Sequence, residues 1–167
     1  LGWRGCTEGL GYTGGGAMIH ENRFVVNYPI EGVFERLANV PLPESTEQLE
    51  IVVEESGPRP PGLGSLWTVK RRRRGSSQFE QFTIEIVRFE PPQLLVFRSV
   101  YRKIETVVRY ELTAKGKRQT EVLVAESTTA KGFARLFNRT IQKNAALHAP
   151  KRAAQTKARI VKELSGG

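Results

Sequence analysis

Aspartate is absent from the sequence, and all 17 acidic residues are glutamate. EF-hand calcium loops and Ser-His-Asp triads are thereby excluded. Cys6 is the sole cysteine, so no internal disulfide can form. With His20 and His148 the only histidines, neither a CxxC nor an HExxH metal spacing can be written. No metal and no cofactor is expected, and a reducing cytoplasmic setting suits the chain. Long apolar runs and single-residue tracts are missing too, which speaks against a membrane-spanning bundle, a collagen-like chain and wholesale disorder.

What remains is 167 residues, 39% hydrophobic and 26% charged, a size and balance suited to one soluble domain with one core. The net charge is +9 and is unevenly spread: residues 131–167 carry nine Lys or Arg against Glu163 alone. Elsewhere the only dense basic run is Lys70, Arg71, Arg72, Arg73 and Arg74. The first 17 residues hold seven glycines and no periodic pattern, and the single methionine, Met18, follows them. They read as a disordered, non-native tail (1–17) ahead of a single domain (18–167). Gly9 to Gly14 matches GxGxxG, but without a preceding strand it is no nucleotide loop. Asn138-Arg139-Thr140 matches a glycosylation sequon only by coincidence within a helix.

After Met18 the pattern is regular. From Asn22 to Asn27, Phe24 and Val26 alternate with Arg23 and Val25 in a short strand. Ile30, Val33, Phe34 and Leu37 recur at helical spacing after Pro29 until Pro41 and Pro43 stop them, and Glu44 to Gln48 suggests a second short helix. Six further strands are predicted: Leu49 to Glu55, Ser65 to Arg73, Gln78 to Phe89, Leu94 to Tyr101, Lys103 to Thr113 and Thr120 to Thr128. Their short Gly- and Pro-rich connections imply an antiparallel meander, with Val108, Tyr110 and Leu112 on the buried face. A terminal helix should cover that face through Phe133, Phe137, Ile141 and Ala145, leaving Lys131, Arg135, Arg139 and Lys143 wet. Pro150 should kink or divide it before Ala154, Ala158, Val161 and Leu164 resume the stripe.

This order is that of an α+β helix-grip fold: a curved antiparallel sheet of about seven strands around a long C-terminal helix, with two short helices after the first strand. The stretches Tyr28 to Phe34, Gly64-Ser65-Leu66-Trp67, Phe89 to Arg98 and Thr120-Glu121-Val122 resemble the polyketide cyclase/dehydrase and lipid-transport superfamily, also called START-like or SRPBCC. The resemblance spans roughly residues 19–164. It implies a cavity between sheet and helix, and a lipid, quinone or polyketide-like ligand.

Trp67, Phe82, Phe97, Tyr110, Phe133 and Phe137 are the candidate lining residues, Trp67 and Tyr110 adding a hydrogen-bonding edge. Proton-transfer chemistry would fall to Glu126 or Tyr110, with Arg98 as anion stabiliser, while His20 and His148 read as surface residues. Small-molecule binding is the favoured function. A cyclase/dehydratase-type enzyme in the same cavity is one alternative, and an interaction module using the basic helix face is another. That face suits weak contact with an anionic membrane surface; no specific nucleic-acid recognition is expected, because the basic run alternates sides of a strand and no aromatic platform interleaves with it.

Overall fold

The computed structural model describes residues 19–166, without the side chains of residues 133–135. The expected Gly-rich tail, residues 1–17, lies outside the described residues. Seven strands, β1 (Ile19–Val26), β2 (Leu49–Ser56), β3 (Leu66–Arg73), β4 (Glu80–Glu90), β5 (Leu94–Tyr101), β6 (Ile104–Gly116) and β7 (Gln119–Ala130), form one sheet in the order β1-β7-β6-β5-β4-β3-β2. Every pair is antiparallel. Helix α1 (Ile30–Ala38) follows β1, and a 3-10 turn (Gly132–Phe137) leads from β7 into the long helix α2 (Asn138–Ser165).

Helix α1 starts where Pro29 presets the backbone and its carbonyl accepts the Val33 N–H at 3.2 Å. Val33, Phe34, Leu37 and Ala38 are its buried side. The expected second short helix does not form. Pro41 and Pro43 withhold backbone donors, and the side-chain oxygens of Ser45 and Thr46 instead take the N–H groups of Ile51 and Leu49 at 2.9 and 3.1 Å, tying the loop to β2. Gly57 ends β2 with φ +117°, and a Cβ there would stand 2.7 Å from the Ser65 Cα. Only glycine allows the chain to close on itself at that point.

The sheet's inner face collects Val26, Trp67, Ile86, Leu95, Phe97, Leu112, Val122 and Val124, which pack with α1 and with Ile160 of α2. A bulge between Ile86 and Arg88 shifts the register of β4 against β5. It turns Phe89 to the inner side opposite Leu95, where its ring meets Phe34 of α1 edge-on at 5.2 Å. The far end of α2 docks on α1: the Arg159 guanidinium donates to the Arg36 and Asn39 carbonyls at 3.1 and 3.0 Å, satisfying acceptors that a helix end leaves open.

Helix α2 runs undivided through Pro150. It departs from the sequence expectation in its facing. Its inward line is Gln142, Ala149, Ala153 and Ile160, not the stripe through Ile141 and Ala145 toward Val161. Phe137 is 65% exposed and Leu136 79% exposed, so the expected aromatic cover over the sheet is not made by Phe137. The cause is composition: with alanine on several sides the helix has no single dominant apolar face, and counting in fours drifts about 40° per step from the true period.

Candidate functional site

Strand alternation fixes which side chains lie on the side of the sheet that faces α2. Register places Phe82, Tyr101, Ile104 and Ala130 in one inward row, Trp67, Ile84, Ser99, Thr106 and Thr128 in the next, and Ile86, Phe97, Val108, Glu126 and His20 in a third. Trp67 is 3% exposed and Phe97 9%. Phe82 is half-buried. The Phe97 and Tyr110 rings meet edge to face at 6.1 Å and 85°. Four of the six predicted lining aromatics, Trp67, Phe82, Phe97 and Tyr110, therefore share the inner face. Phe137 points to solvent, and the Phe133 side chain lies outside the described residues.

Polar groups are set into this apolar surface at two places. Toward α2, Glu126 is 7% exposed and its carboxylate accepts from the Arg152 Nε at 3.0 Å and from a second nitrogen of the same guanidinium. Arg152 also donates to the Ala145 carbonyl at 3.2 Å. Beside them, burial raises the Tyr110 hydroxyl above the usual tyrosine range; a hydrogen bond with Thr156 and the Arg159 charge oppose the shift. At the opposite, β3–β5 side, Glu80 accepts from the Tyr101 hydroxyl at 2.8 Å, Arg71 at 3.1 Å and Arg102 at 3.3 Å. These bonds hold its carboxyl below the usual carboxylate range, the Tyr101 bond most of all. The Arg71 guanidinium lies 5.9 Å from the Phe82 ring centre and 5.8 Å from that of Tyr101, so a cation rests against the inward aromatics.

The two catalytic candidates separate. Glu126 faces inward. Arg98 does not: Phe97 and Ser99 take the inner positions, so Arg98 projects outward, 46% exposed, and binds Glu85 at 2.6 Å. It cannot stabilise an anion on the inner face. The basic run also splits by alternation, with Lys70 and Arg72 on the outside paired to Glu54 and Glu50 of β2 and Arg71 turned in.

Sequence reasoning missed Arg152, Thr156 and the Arg71–Glu80–Tyr101 cluster. Placing Arg152 and Thr156 needs the rotational phase of α2, which an alanine-rich helix hides. Arg71 and Tyr101 were accessible from strand alternation, since each sits two residues beyond an inward side chain. His148 is exposed as expected, whereas His20 is half-buried and inward, because β1 carries it on the side of Phe24 and Val26. No group of three or more metal-ligating side chains occurs among the described residues.

An open depression of about 590 Å³, lined by Asn27, Tyr28, Pro29, Arg118 and Gln119, lies where the β1–α1 junction meets the β6–β7 hairpin. It contains none of the inward aromatics, so we place the candidate site on the inner face, where apolar surface and placed polar groups coincide.

No protein-family description matches the sequence, and no curated protein matches it. Solved structures do share its architecture. They include Ara h 8.0201 (TM-score 0.62, 13% identity, 91% of this chain and 100% of that one). An aromatase/cyclase, Zhui, from a Streptomyces aligns with TM-score 0.54 and 14% identity over 89% of this chain and 93% of its own. Norcoclaurine synthase of Thalictrum flavum, in complex with a transition-state analogue, aligns with TM-score 0.57 and 11% identity over 91% and 99%. At these identities the likeness is one of fold, and the fold is the helix-grip architecture, a curved antiparallel sheet with a long C-terminal helix.

Proposed function

We propose that the chain binds a small, largely apolar organic molecule on the inner face of the sheet, against α2. The observation that carries the reading is the composition of that face: Trp67, Phe82, Phe97 and Tyr110 on one side of the sheet, the last two in ring contact, with polar groups toward α2 and toward β3–β5. Transfer of apolar ligand area from water yields about 25 cal/mol per Å² before ordering costs, and the polar groups would orient the ligand. Structural neighbours described as an aromatase/cyclase and as norcoclaurine synthase with a transition-state analogue agree with a small organic molecule as the ligand. A lipid, quinone or polyketide-like compound fits. Binding is favoured over catalysis because both Glu126 oxygens already accept from Arg152, which leaves that carboxylate poorly placed to take a proton from a substrate.

Titration with the apolar fluorophore N-phenyl-1-naphthylamine tests this. Saturable one-to-one binding is expected, weakened about tenfold by Phe82→Ala, a half-buried position whose truncation spares the deep core. Absence of saturable binding by the unaltered chain overturns the reading.

A second reading has its own observation. Leu136, Phe137 and Leu147 are 79%, 65% and 75% exposed, in the same segment as the exposed Arg139, Lys143 and Lys151. Apolar side chains flanked by cations suit contact with an anionic membrane surface. Such contact would bring an apolar ligand and its carrier together.

A further inference from the structure

Three buried polar atoms on two elements that pack against each other have no hydrogen-bond partner: His20 Nε2 on β1, and Asn138 Oδ1 and Gln142 Nε2 on α2. Gln142 is only 8% exposed. A buried polar group left without a partner opposes folding, and proteins keep few of them. Several on one pair of packed elements call for an explanation.

The fold relates their positions. Asn138 and Gln142 are four residues apart and so lie one above the other on α2. That helix rests on β1 and β7. On the sheet side, His20 stands opposite Glu126 in the register of β1 with β7, in the row that also carries Phe97 and Val108. Arg152 links the two levels. It grips Glu126 while reaching back along α2 to the Ala145 carbonyl, which brings the carboxylate to within a turn or two of Gln142, at about 1.5 Å of rise per residue.

Charge narrows what can be held there. A carboxylate would approach Glu126, whose counter-charge on Arg152 is already engaged; an amine would approach the Arg152 guanidinium. A neutral group that both donates and accepts meets no such penalty. A hydroxyl accepts from the Gln142 amide N–H and donates to the Asn138 oxygen, with His20 as a further partner. We propose that His20, Asn138 and Gln142 form a subsite for the hydroxyl end of the ligand, which is thereby an apolar molecule carrying a phenol or alcohol and not an acid or amine. The proposal rests on the ligand-binding reading above and assigns that ligand its polar end.

The test compares two probes that differ in one group, 2-naphthol and naphthalene, by calorimetry on the full chain. The unaltered protein should bind 2-naphthol about tenfold more tightly, the difference one hydrogen-bonded group makes. Gln142→Leu keeps the side-chain volume and should abolish the preference while leaving naphthalene affinity within twofold; His20→Phe should reduce the preference in part. Thermal unfolding of each variant verifies that it folds, and Gln142→Leu should melt no lower than the parent. If both probes bind and the parent shows no preference, or if Gln142→Leu keeps it, an internal water or local packing accounts for the cluster and the subsite proposal fails while the ligand-binding reading stands. If neither probe binds, the broader reading fails first.

Discussion

Tyr110 joins the apolar and polar parts of the inner face, and its protonation gives a measurable signature. In the folded chain burial holds the hydroxyl proton past the point, near pH 10, where the unfolded chain releases it. Above that pH the native state binds more protons than the unfolded state, so stability falls as pH rises. Tyr110→Phe should remove this alkaline loss, giving a flatter stability curve above pH 10, and at neutral pH should cost about 1 kcal/mol for the bond with Thr156. Urea unfolding across that range measures both, and an equally steep alkaline loss in the variant would place its origin elsewhere. Arg152 offers a second residue-scale measurement. Arg152→Met strands the buried Glu126 carboxylate and should cost about 2 kcal/mol, and adding Glu126→Gln should recover part of the loss, because the single change leaves a charge without its partner. A double change no better than the single would mean that the guanidinium acts through its Ala145 contact instead.

Among the elements, α2 separates what the sequence discloses from what it hides. Ile160 is fully buried and Phe137 is 65% exposed. Ile160→Ala should therefore cost about 2 to 5 kcal/mol and Phe137→Ala less than about 0.5 kcal/mol in chemical unfolding. The reverse ranking would restore the aromatic stripe that spacing alone suggests. Strands were legible because alternation is local: Val108, Tyr110 and Leu112 declare their face, and Trp67 and Phe97 follow theirs. Arg98 was misplaced for want of applying that alternation through to the end of its strand. The β4 bulge was not legible, since one inserted residue changes facing only relative to a partner strand, and that is how Phe89 comes to meet Phe34. Nor was the loop before β2, where Ser45 and Thr46 bond to backbone that the sequence does not place beside them. The candidate site was half legible for the same reason. Its sheet wall follows from periodicity, whereas Arg152, Thr156 and Gln142 depend on how a weakly amphipathic helix is rotated, and tertiary contacts decide that rotation.

At the scale of the whole molecule, the net positive charge gathers in the final segment. The basic side chains of β3 are largely matched by Glu50, Glu54 and Glu80, so the strand that looks most cationic in sequence is locally balanced. The final segment is not: Arg139, Lys143 and Lys151 stay exposed around Leu136, Phe137 and Leu147, and no helix among the described residues is long and apolar enough to cross a membrane. On the surface-contact reading proposed above, its cations would be drawn to anionic headgroups and the three apolar side chains would enter the interface. Low ionic strength should strengthen that contact, because exposed charges are screened over roughly 10 Å at 0.1 M salt. The chain should therefore sediment with vesicles of mixed phosphatidylcholine and phosphatidylglycerol and not with pure phosphatidylcholine. Phe137→Glu with Leu147→Glu should reduce that association at least about tenfold, while N-phenyl-1-naphthylamine affinity stays unchanged because neither side chain lies on the inner face. Equal sedimentation with both vesicle types would remove the electrostatic part of this reading, and loss of fluorophore binding in the double variant would mean that the outward side of α2 and the inner face are one site.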